Sequence, residues 1–161
     1  MRVLAFVVTL TTVLTGEVAA QASSASDPEL VVAAAIVASS GQGAKAFDVH
    51  PSHASTATRG RSSERASTIA KALHADTVAG SKVLVCASRS PRSCSLGHYA
   101  HLISMSQPVI AADGKTATVL VTTHSATNIA RIPVEVSEVE YTLTRAGRSW
   151  RVVKQFTTRR S

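Results

Sequence analysis

Histidines are the residues of this sequence best suited to chemistry, because four of the six form two pairs with the spacing His-x-x-His. The pairs are His50 with His53 and His98 with His101. Neutral imidazoles are common zinc ligands, and four that converge would complete a tetrahedral site. Two rings three residues apart share a face only on a helix, yet Pro51 interrupts the first pair and the second leads into a predicted strand. The spacing favours surface histidines; no metal is predicted, and convergence of the pairs is left open.

An enzyme of this size would also need a positioned general base. Asp48 is the carboxylate best placed to face a pocket mouth, since it lies in the predicted loop between two helices. Glu135, Glu138 and Glu140 fall on one predicted strand beside many arginines, a pattern typical of a solvated, charge-paired face. The strand positions predicted to face the interior carry no charge: Ile103, Met105, Val119, Val121, Val139, Tyr141 and Leu143. We therefore expect a filled core, no catalytic residue and no enzymatic activity.

The motifs of the common cofactor sites and nucleophilic enzymes are missing from this sequence. It has no Walker loop, no glycine fingerprint for dinucleotides, no HExxH, no CxxC and no GxSxG. No cofactor is predicted.

Positive charge is in excess, with 17 Lys and Arg against 10 Asp and Glu over 161 residues. Six cations crowd the last predicted hairpin and the tail: Arg145, Arg148, Arg151, Lys154, Arg159 and Arg160. Such a patch could meet an anionic partner, but Arg151 and Lys154 are predicted on opposite faces of their strand, which favours a solvated rim. Aromatic residues make up only 4% of the chain, too few for base-stacking platforms, so nucleic acid is excluded as a partner.

Residues 1–22 have the pattern of a signal peptide. Arg2 precedes an apolar run over residues 3–15, and small residues at Val18, Ala20 and Ala22 suit a signal peptidase. An uncleaved anchor is the alternative, but a membrane span needs about 20 apolar residues, and this run ends before Glu17. We expect a secreted or periplasmic protein with no stable membrane anchor after cleavage. Residues 23–161 are enough for a single domain.

Two cysteines, Cys86 and Cys94, lie in the predicted mature part. In an oxidising compartment an even pair is most simply one disulfide. The segment between them is polar with a central Pro91, as expected of a loop, and the eight-residue spacing lacks the geometry of a redox motif. The bridge is predicted to be structural.

Capping signals and apolar periodicity predict two helices before any long strand. Asp27, Pro28 and Glu29 have the chemistry of a helix start, and the apolar run that follows stops at residues 39–41. A second helix is predicted over residues 64–74. Its one-sided apolar stripe consists of Ala66, Ile69, Ala70 and Leu73. Residues 41–61 read as a loop, with a short strand near residues 46–49.

Beyond residue 80 the pattern alternates with a period of two, as strands do. A short strand over residues 82–87 leads into the disulfide loop, and four antiparallel strands are predicted after the two helices. The long strands are predicted near residues 101–111, 116–123 and 134–144, and from residue 149 onward. Helices followed by a meander predict an α+β domain whose N-terminal helices pack on a curved, mainly antiparallel four-stranded sheet.

Two details of the last strands are also predicted. Val134 and Val136 have the opposite parity to the apolar residues that follow them, which predicts a β-bulge near Ser137. Trp150, Val152 and Phe156 are expected to share one face of the last strand with the stem of Lys154, since all four have the same parity.

The segment Val-Glu-Tyr-Thr-Leu-Thr-Arg-Ala-Gly-Arg-Ser-Trp-Arg-Val-Val, residues 139–153, resembles the final hairpin of the NTF2-like (cystatin-like, cone-shaped) superfamily. Residues 113–119 are similar to the hairpin that such domains place before it. The resemblance extends roughly over residues 27–158, although its motifs lie in the C-terminal strands. It implies helices around the concave face of a bent sheet, with a pocket, in a superfamily of isomerases, dehydratases and non-catalytic binding domains. The loop between Cys86 and Cys94 is not a general feature of that superfamily.

The function expected from these observations is that of an exported small non-catalytic domain that binds a small apolar ligand or a protein partner. A homodimer is a further option. The residues that we place near a pocket are Ile69, Leu73, Met105, Val119, Tyr141 and Trp150. The alternative is a small NTF2-like lyase or isomerase that uses a pocket Asp or His as general base. An enzyme should bury a titratable group with a shifted pKa, whereas a binding scaffold fills its interior with aliphatic side chains.

Overall fold

The computed structural model of the chain describes residues 27–49, 61–86, 94–126 and 134–160. The predicted signal peptide, residues 1–22, lies outside the described residues. The helices are α1 (Pro28–Ser39), α2 (Ser63–Leu73) and α3 (Gly80–Val83). The strands are β1 (Lys45–Asp48), β2 (Ala75–Val78), β3 (Val85–Cys86), β4 (Cys94–Ser95), β5 (His101–Met105), β6 (Val109–Ile110), β7 (Thr116–Ala126), β8 (Val134–Ala146) and β9 (Ser149–Arg160). None of the described helices has the length and apolar character needed to cross a membrane.

Seven of the strands form one mixed sheet, with the order β2-β1-β5-β7-β8-β9 and β6 paired beside β7. β1 runs parallel to both β2 and β5, whereas β5, β7, β8 and β9 are successively antiparallel. β3 and β4 form a separate two-stranded sheet. The domain is therefore of α+β class, as predicted.

The two long helices begin and end where their capping residues indicate. The Asp27 carboxylate accepts a hydrogen bond from the Glu29 amide (2.9 Å), and Pro28 occupies the first turn of α1. At α2, the Ser62 hydroxyl accepts a hydrogen bond from the Arg65 amide (3.2 Å). His74 ends α2 in a left-handed conformation, with φ at 54°. Side-chain oxygens satisfy amides that a helix start would otherwise leave without partners, so both predicted helices are confirmed.

The main core lies between these helices and one face of the large sheet. It combines the apolar sides of α1 and α2 with inward residues of β1, β5, β7, β8 and β9. A second, smaller cluster lies on the opposite face of the sheet and consists of Ala46, Cys94, Leu96, Leu102 and Val134. Val134 has its unexpected parity because it packs into this second cluster, and the pairing of β8 with β7 stays regular there.

The sheet has seven strands where the sequence predicted four, because two short strands join it and one long predicted strand is divided. The short strand predicted near residues 46–49 is β1, whereas β2 was not predicted, since four residues are too few for alternation to distinguish a strand from a loop. Residues 82–87 contain the end of α3 and the short strand β3 rather than one strand. The strand predicted over residues 101–111 is divided into β5 and β6 around Pro108, whose missing N–H cannot join a ladder.

β9 contains the irregularities of the last hairpin. Its register against β8 shifts between Thr142 and Leu143 and again between Glu138 and Val139. The extra residues are Val153 and Thr158, both on β9. A bulge near Ser137 was predicted, and the second shift is next to that position, but the inserted residue belongs to the partner strand.

A buried cluster of charges connects both helices to the sheet. Glu29 and Arg61 form an ion pair in which the side chains are only 5% and 4% exposed. The Arg61 guanidinium also donates to the carbonyl oxygens of Met105 (3.0 Å) and Ser106 (3.2 Å). Arg65 donates to the Glu29 carboxylate (2.7 and 2.9 Å) and pairs with Asp27. Although desolvation lowers the pKa of Arg65, its hydrogen bonds to these two carboxylates raise it on balance.

Replacing Arg61 by methionine should destabilise the fold strongly. The variant Arg61→Met removes one of the two cations that pair with the buried Glu29 carboxylate and leaves it with Arg65 alone. Complete loss of a buried charge partner costs about 3–5 kcal/mol, so we expect a loss of about 2–3 kcal/mol. Urea denaturation at neutral pH measures the free energy of unfolding. The matched control is Lys71→Met, at an exposed position of α2, which should change it by less than about 0.5 kcal/mol. Similar losses in the two variants would show that the buried pair has no special role.

Candidate functional site

The six residues predicted to lie near a pocket come together in the main core. Each is at most 6% exposed, and the set consists of Ile69, Leu73, Met105, Val119, Tyr141 and Trp150. They come from five different elements, α2, β5, β7, β8 and β9, so the fold gathers residues that are up to 81 positions apart in sequence (150 − 69). Burial raises the pKa of the Tyr141 hydroxyl. The structure thus places these side chains inside one apolar cluster.

The face of strands β6–β9 that points away from the main core, which we call the outer face, is exposed along much of its length. Alternate residues of β7, among them Thr118, Leu120 and Thr122, point to this side, away from the main core. The second cluster covers the end near β5. At the other end the outer face presents Val109, 70% exposed, and Phe156, 59% exposed. Large apolar side chains left this open are candidates for contact with a partner.

The two bulges of β9 determine which side chains reach the outer face. Lys154 pairs with Thr142 and Phe156 with Glu140, both on the outer face, because the extra residue Val153 shifts the alternation by one. Phe156 was predicted on the face of Trp150, and this is wrong for that reason. A bulge redirects the side chains that follow it, and alternation alone does not show where one occurs.

The same shift corrects the prediction for the basic residues. Arg151 pairs with Thr144, so Arg151 and Lys154 lie on the same face rather than on opposite faces. The second extra residue, Thr158, places Arg159 on the outer face as well, opposite Glu138. Four successive outer positions of β9 are therefore Arg151, Lys154, Phe156 and Arg159.

A row of polar side chains crosses the helix-covered face of the sheet. It lies next to the main core, at the end of the sheet where β1 and β5 begin. Lys45, His101, Ser125 and Glu135 are successive cross-strand neighbours on β1, β5, β7 and β8. His101 Nδ1 and the Ser125 hydroxyl oxygen are 3.0 Å apart, within hydrogen-bond distance. Burial, and then the charge of Lys45, lower the pKa of His101. A neutral imidazole bonded to a hydroxyl is an arrangement that can take up a proton. Sequence spacing gave no signal for it, since the pairing depends on strand register.

Asp48 is buried on the side of the second cluster. Its carboxylate accepts a hydrogen bond from the Gly80 amide at 2.8 Å. A Cβ at position 80 would lie only 2.0 Å from a carboxylate oxygen of Asp48, so the contact requires glycine there. Asp48 thus packs against backbone at the start of α3.

The second histidine pair does not share one environment. His98 is exposed and its ring lies 3.9 Å from that of Tyr99, whereas His101 belongs to the polar row. The first pair, His50 and His53, lies outside the described residues. Among the residues that the structure does describe, no three His, Cys, Asp or Glu side chains form a group that could hold a metal ion.

The glutamates of β8 lie beside the cations of β9. Glu138 accepts a hydrogen bond from the Thr158 hydroxyl (2.9 Å), and a carboxylate oxygen of Glu135 lies 4.0 Å from the Arg160 guanidinium. Both side chains of the Glu135–Arg160 pair are at least half exposed. Solvent therefore screens this attraction. Glu135 belongs to the polar row, whereas Glu138 and Glu140 lie on the outer face, so the three glutamates do not share the one face that the sequence predicted.

Cys86 and Cys94 form the predicted disulfide. They are direct cross-strand partners in the hairpin of β3 and β4. Cys94 is buried in the second cluster, whereas Cys86 is exposed. The bridge therefore links β3 to β4, and the buried Cys94 places both strands against the second cluster. This role is structural.

The stability of the protein should fall in mild acid because of His101. Its pKa is lowered in the folded state, whereas an unfolded imidazole titrates near about 6.5. Below that pH the unfolded chain binds the additional proton more readily, so the free energy of unfolding decreases. We expect this decrease in urea denaturation between about pH 7.5 and about pH 5, and a smaller one in His101→Gln. The matched control His98→Gln removes an exposed imidazole and should behave like the parent; an unchanged profile in His101→Gln would contradict the assignment.

The chain matches no protein-family model, no curated protein and no solved structure. What it does must be inferred from its own surfaces, of which two stand out. The outer face presents exposed apolar and basic side chains, and the polar row presents a hydrogen-bonded histidine and serine.

Proposed function

We propose that this chain is an exported, non-catalytic domain that binds a protein partner on its outer face. The observation that supports this most strongly is the exposure of Phe156 and Val109 there. A folded domain gains by burying an aromatic ring, about 25 cal/mol for each Å² removed from water. Phe156 is instead turned outward, and a partner that covers it would recover this free energy.

Binding of a small apolar ligand is less well supported than binding of a protein. The residues expected to line a pocket, such as Leu73 and Val119, are fully buried against one another. Protein interiors are close-packed, so a ligand among these side chains would have to displace them. The outer face needs no such rearrangement, because Phe156 and Val109 are already accessible to a partner.

Export is part of the proposal, and so is the NTF2-like architecture. The disulfide between Cys86 and Cys94 is typical of proteins in oxidising compartments, which agrees with a cleaved signal peptide over residues 1–22. Helices on one face of a largely antiparallel sheet, and a closing hairpin at residues 139–153, are features of NTF2-like domains. These features support the resemblance. Fold by itself does not select a function.

Site-specific photo-cross-linking in the producing cells tests the proposed surface. A benzoylphenylalanine introduced at Phe156 or at Val109 should form an adduct of one defined mass with another protein, because both positions are exposed on the outer face. The same probe at Ser67, exposed on α2, is the matched control and should give no such adduct. Adducts are separated by electrophoresis and identified by mass spectrometry.

Other outcomes of these experiments would change the proposed partner or contradict the proposed surface. An adduct of twice the chain mass would identify a second copy as the partner. Equal adducts at Ser67 and Phe156, or none at any position, would contradict the proposed surface. Native mass spectrometry of the tag-free exported protein provides an independent check, since a retained apolar molecule would favour the ligand carrier instead.

His101 favours a second candidate function, a small lyase or isomerase with this residue as general base. A half-buried imidazole in contact with the Ser125 hydroxyl and with a lowered pKa is the kind of group that removes a proton from a substrate. Lys45, its neighbour in the polar row, could attract a substrate carboxylate or stabilise an enolate.

This second candidate predicts that small carbonyl compounds with a carboxylate bind beside His101. Addition of such fragments should shift the imidazole NMR signals of His101 saturably, and Lys45→Met should abolish the shift because the anchoring cation is gone. Lys115→Met, which removes an exposed lysine in the turn before β7, is the matched control. If none of the fragments shifts the His101 signals, the hypothesis of an enzyme with His101 as general base is rejected.

A further inference from the structure

We propose that the partner presents an acidic, extended segment that adds to the sheet as a new strand along the free edge of β9. This inference rests on the proposed function, because it names the chemistry of the protein bound at the outer face. Strand addition uses backbone hydrogen bonds for affinity and side-chain contacts for specificity. Both requirements can be examined on β9.

β9 is the last strand in the order of the large sheet, within the part of the chain that the structure describes. It has 12 residues, and every residue from Val153 to its end is exposed. An edge strand presents a row of N–H and C=O groups to an incoming strand. A segment of about ten residues can therefore pair along β9, with the bulged residues Val153 and Thr158 left out of the new ladder as they are left out of the pairing with β8.

Charge determines what kind of strand this edge accepts. β9 carries four cations, Arg151, Lys154, Arg159 and Arg160, and no acidic residue. Among the described residues, only Arg160 of these four has a carboxylate within 4.0 Å. The acids nearest to the other three on the outer face are Glu138 and Glu140 on β8. Both glutamates lie along the edge of β9 that pairs with β8. The opposite edge of β9, which pairs with no described strand, therefore faces the solvent with excess positive charge.

A second copy of β9 does not satisfy this charge. Two such strands side by side would bring eight cations together, twice the four of one strand, and like charges opposite one another are destabilising. Cationic edges are a recognised protection against self-association. The same residues that repel a second copy attract an acidic strand, so charge selects a different protein.

Nor can the rest of this chain supply the acidic strand. Outside the described part, residues 23–26, 50–60, 87–93, 127–133 and 161 contain no Asp or Glu, and residues 1–22 contain a single acid, Glu17. The described acids are already placed within the fold, such as Glu29 in its buried ion pair and Asp76 beside the Tyr99 hydroxyl. The complementary segment therefore belongs to another molecule.

The bulges give the edge a pattern that a partner can match. The outer positions of β9 read Arg151, Lys154, Phe156 and Arg159 in four successive rows. An antiparallel partner strand would meet these positions in reverse order. Its residues at every second position would be an acid opposite Arg159, an apolar residue opposite Phe156 and acids opposite Lys154 and Arg151. The order acid–apolar–acid–acid fits an antiparallel segment, and its reverse fits a parallel one.

Synthetic peptides test this inference with the full mature protein. The probe is the fluorescently labelled peptide Thr-Glu-Thr-Leu-Thr-Glu-Thr-Glu-Thr, blocked at both ends, together with its reversed sequence. One control peptide replaces each Glu by Lys, and a second keeps the sequence but carries N-methyl groups on alternate amides, which removes strand hydrogen bonds and leaves the charge. Fluorescence anisotropy should show binding of an unmodified acidic peptide and of neither control.

Protein variants locate the site. Lys154→Glu should weaken peptide binding about fivefold or more, since it turns an attractive cross-strand pair into a repulsive one worth about 1 kcal/mol. Arg148→Glu changes the net charge equally but lies in the turn before β9, and should change binding less than twofold. Thermal unfolding of both variants verifies that they fold. Equal binding of the N-methylated peptide, or equal weakening by the two variants, would reduce the interaction to general charge attraction and overturn the inference.

The outcome also separates this inference from the proposed function. If cross-links form at Phe156 but neither acidic peptide binds or competes with them, the outer face binds a protein by side chains alone and strand addition is wrong. If the acidic peptide binds while no cellular adduct forms at Phe156 or Val109, strand addition stands and the proposed binding surface on the outer face does not.

Discussion

The buried ion pair between Glu29 and Arg61 is the constraint on which the arrangement of this domain depends. Arg61 bonds at once to the start of α1 and to the carbonyl groups that end β5, and Arg65 adds the first turn of α2 through the same carboxylate. A charge in such a position is costly without its partner. Both helices are consequently held on one side of the sheet, where they cover the main core.

Because both helices pack on the same side, the two sides of the sheet differ in how much of their surface is buried. The helix-covered side is closed mainly by apolar packing beside the buried Glu29–Arg61 pair, and the polar row that contains His101 lies beyond this core. The outer face has the small second cluster at one end, where the hairpin fastened by Cys86 and Cys94 lies, and is open at the other. Because β9 is the last strand of the sheet among the described residues, the open side continues into a strand edge, and side chains and backbone groups become available at one place.

Much of this could be predicted from the sequence, and the exceptions have physical causes. Local signals were sufficient for α1 and α2, since a capping residue such as Asp27 acts within one turn, and for the disulfide. They were insufficient for β2, which pairs with a strand remote in sequence, and they gave no sign that the short predicted strand β1 joins the large sheet between β2 and β5. Glu29 was recognised as favourable at a helix start, but its pairing with Arg61 spans 32 residues and requires the tertiary fold.

The candidate sites show the same division. Periodicity correctly grouped residues such as Ile69 and Tyr141, yet the same apolar types line pockets and fill cores, so the sequence could not decide between the two. The contact of His101 with Ser125 depends on the register of β5 against β7, and the exposure of Phe156 depends on one inserted residue.

That inserted residue, Val153, also determines on which face of β9 the lysine and the phenylalanine that follow it lie. If β9 paired regularly, Phe156 would turn toward the core side, but Lys154 would turn there too, opposite Tyr141. The position opposite Tyr141 is occupied in the structure by the exposed Gln155, so a lysine there would keep its ammonium group in solvent. The inserted residue therefore leaves the burial of β9 nearly unchanged and alters its chemistry instead: it gives the outer face both a cation and an aromatic ring, which regular pairing would place on the other face.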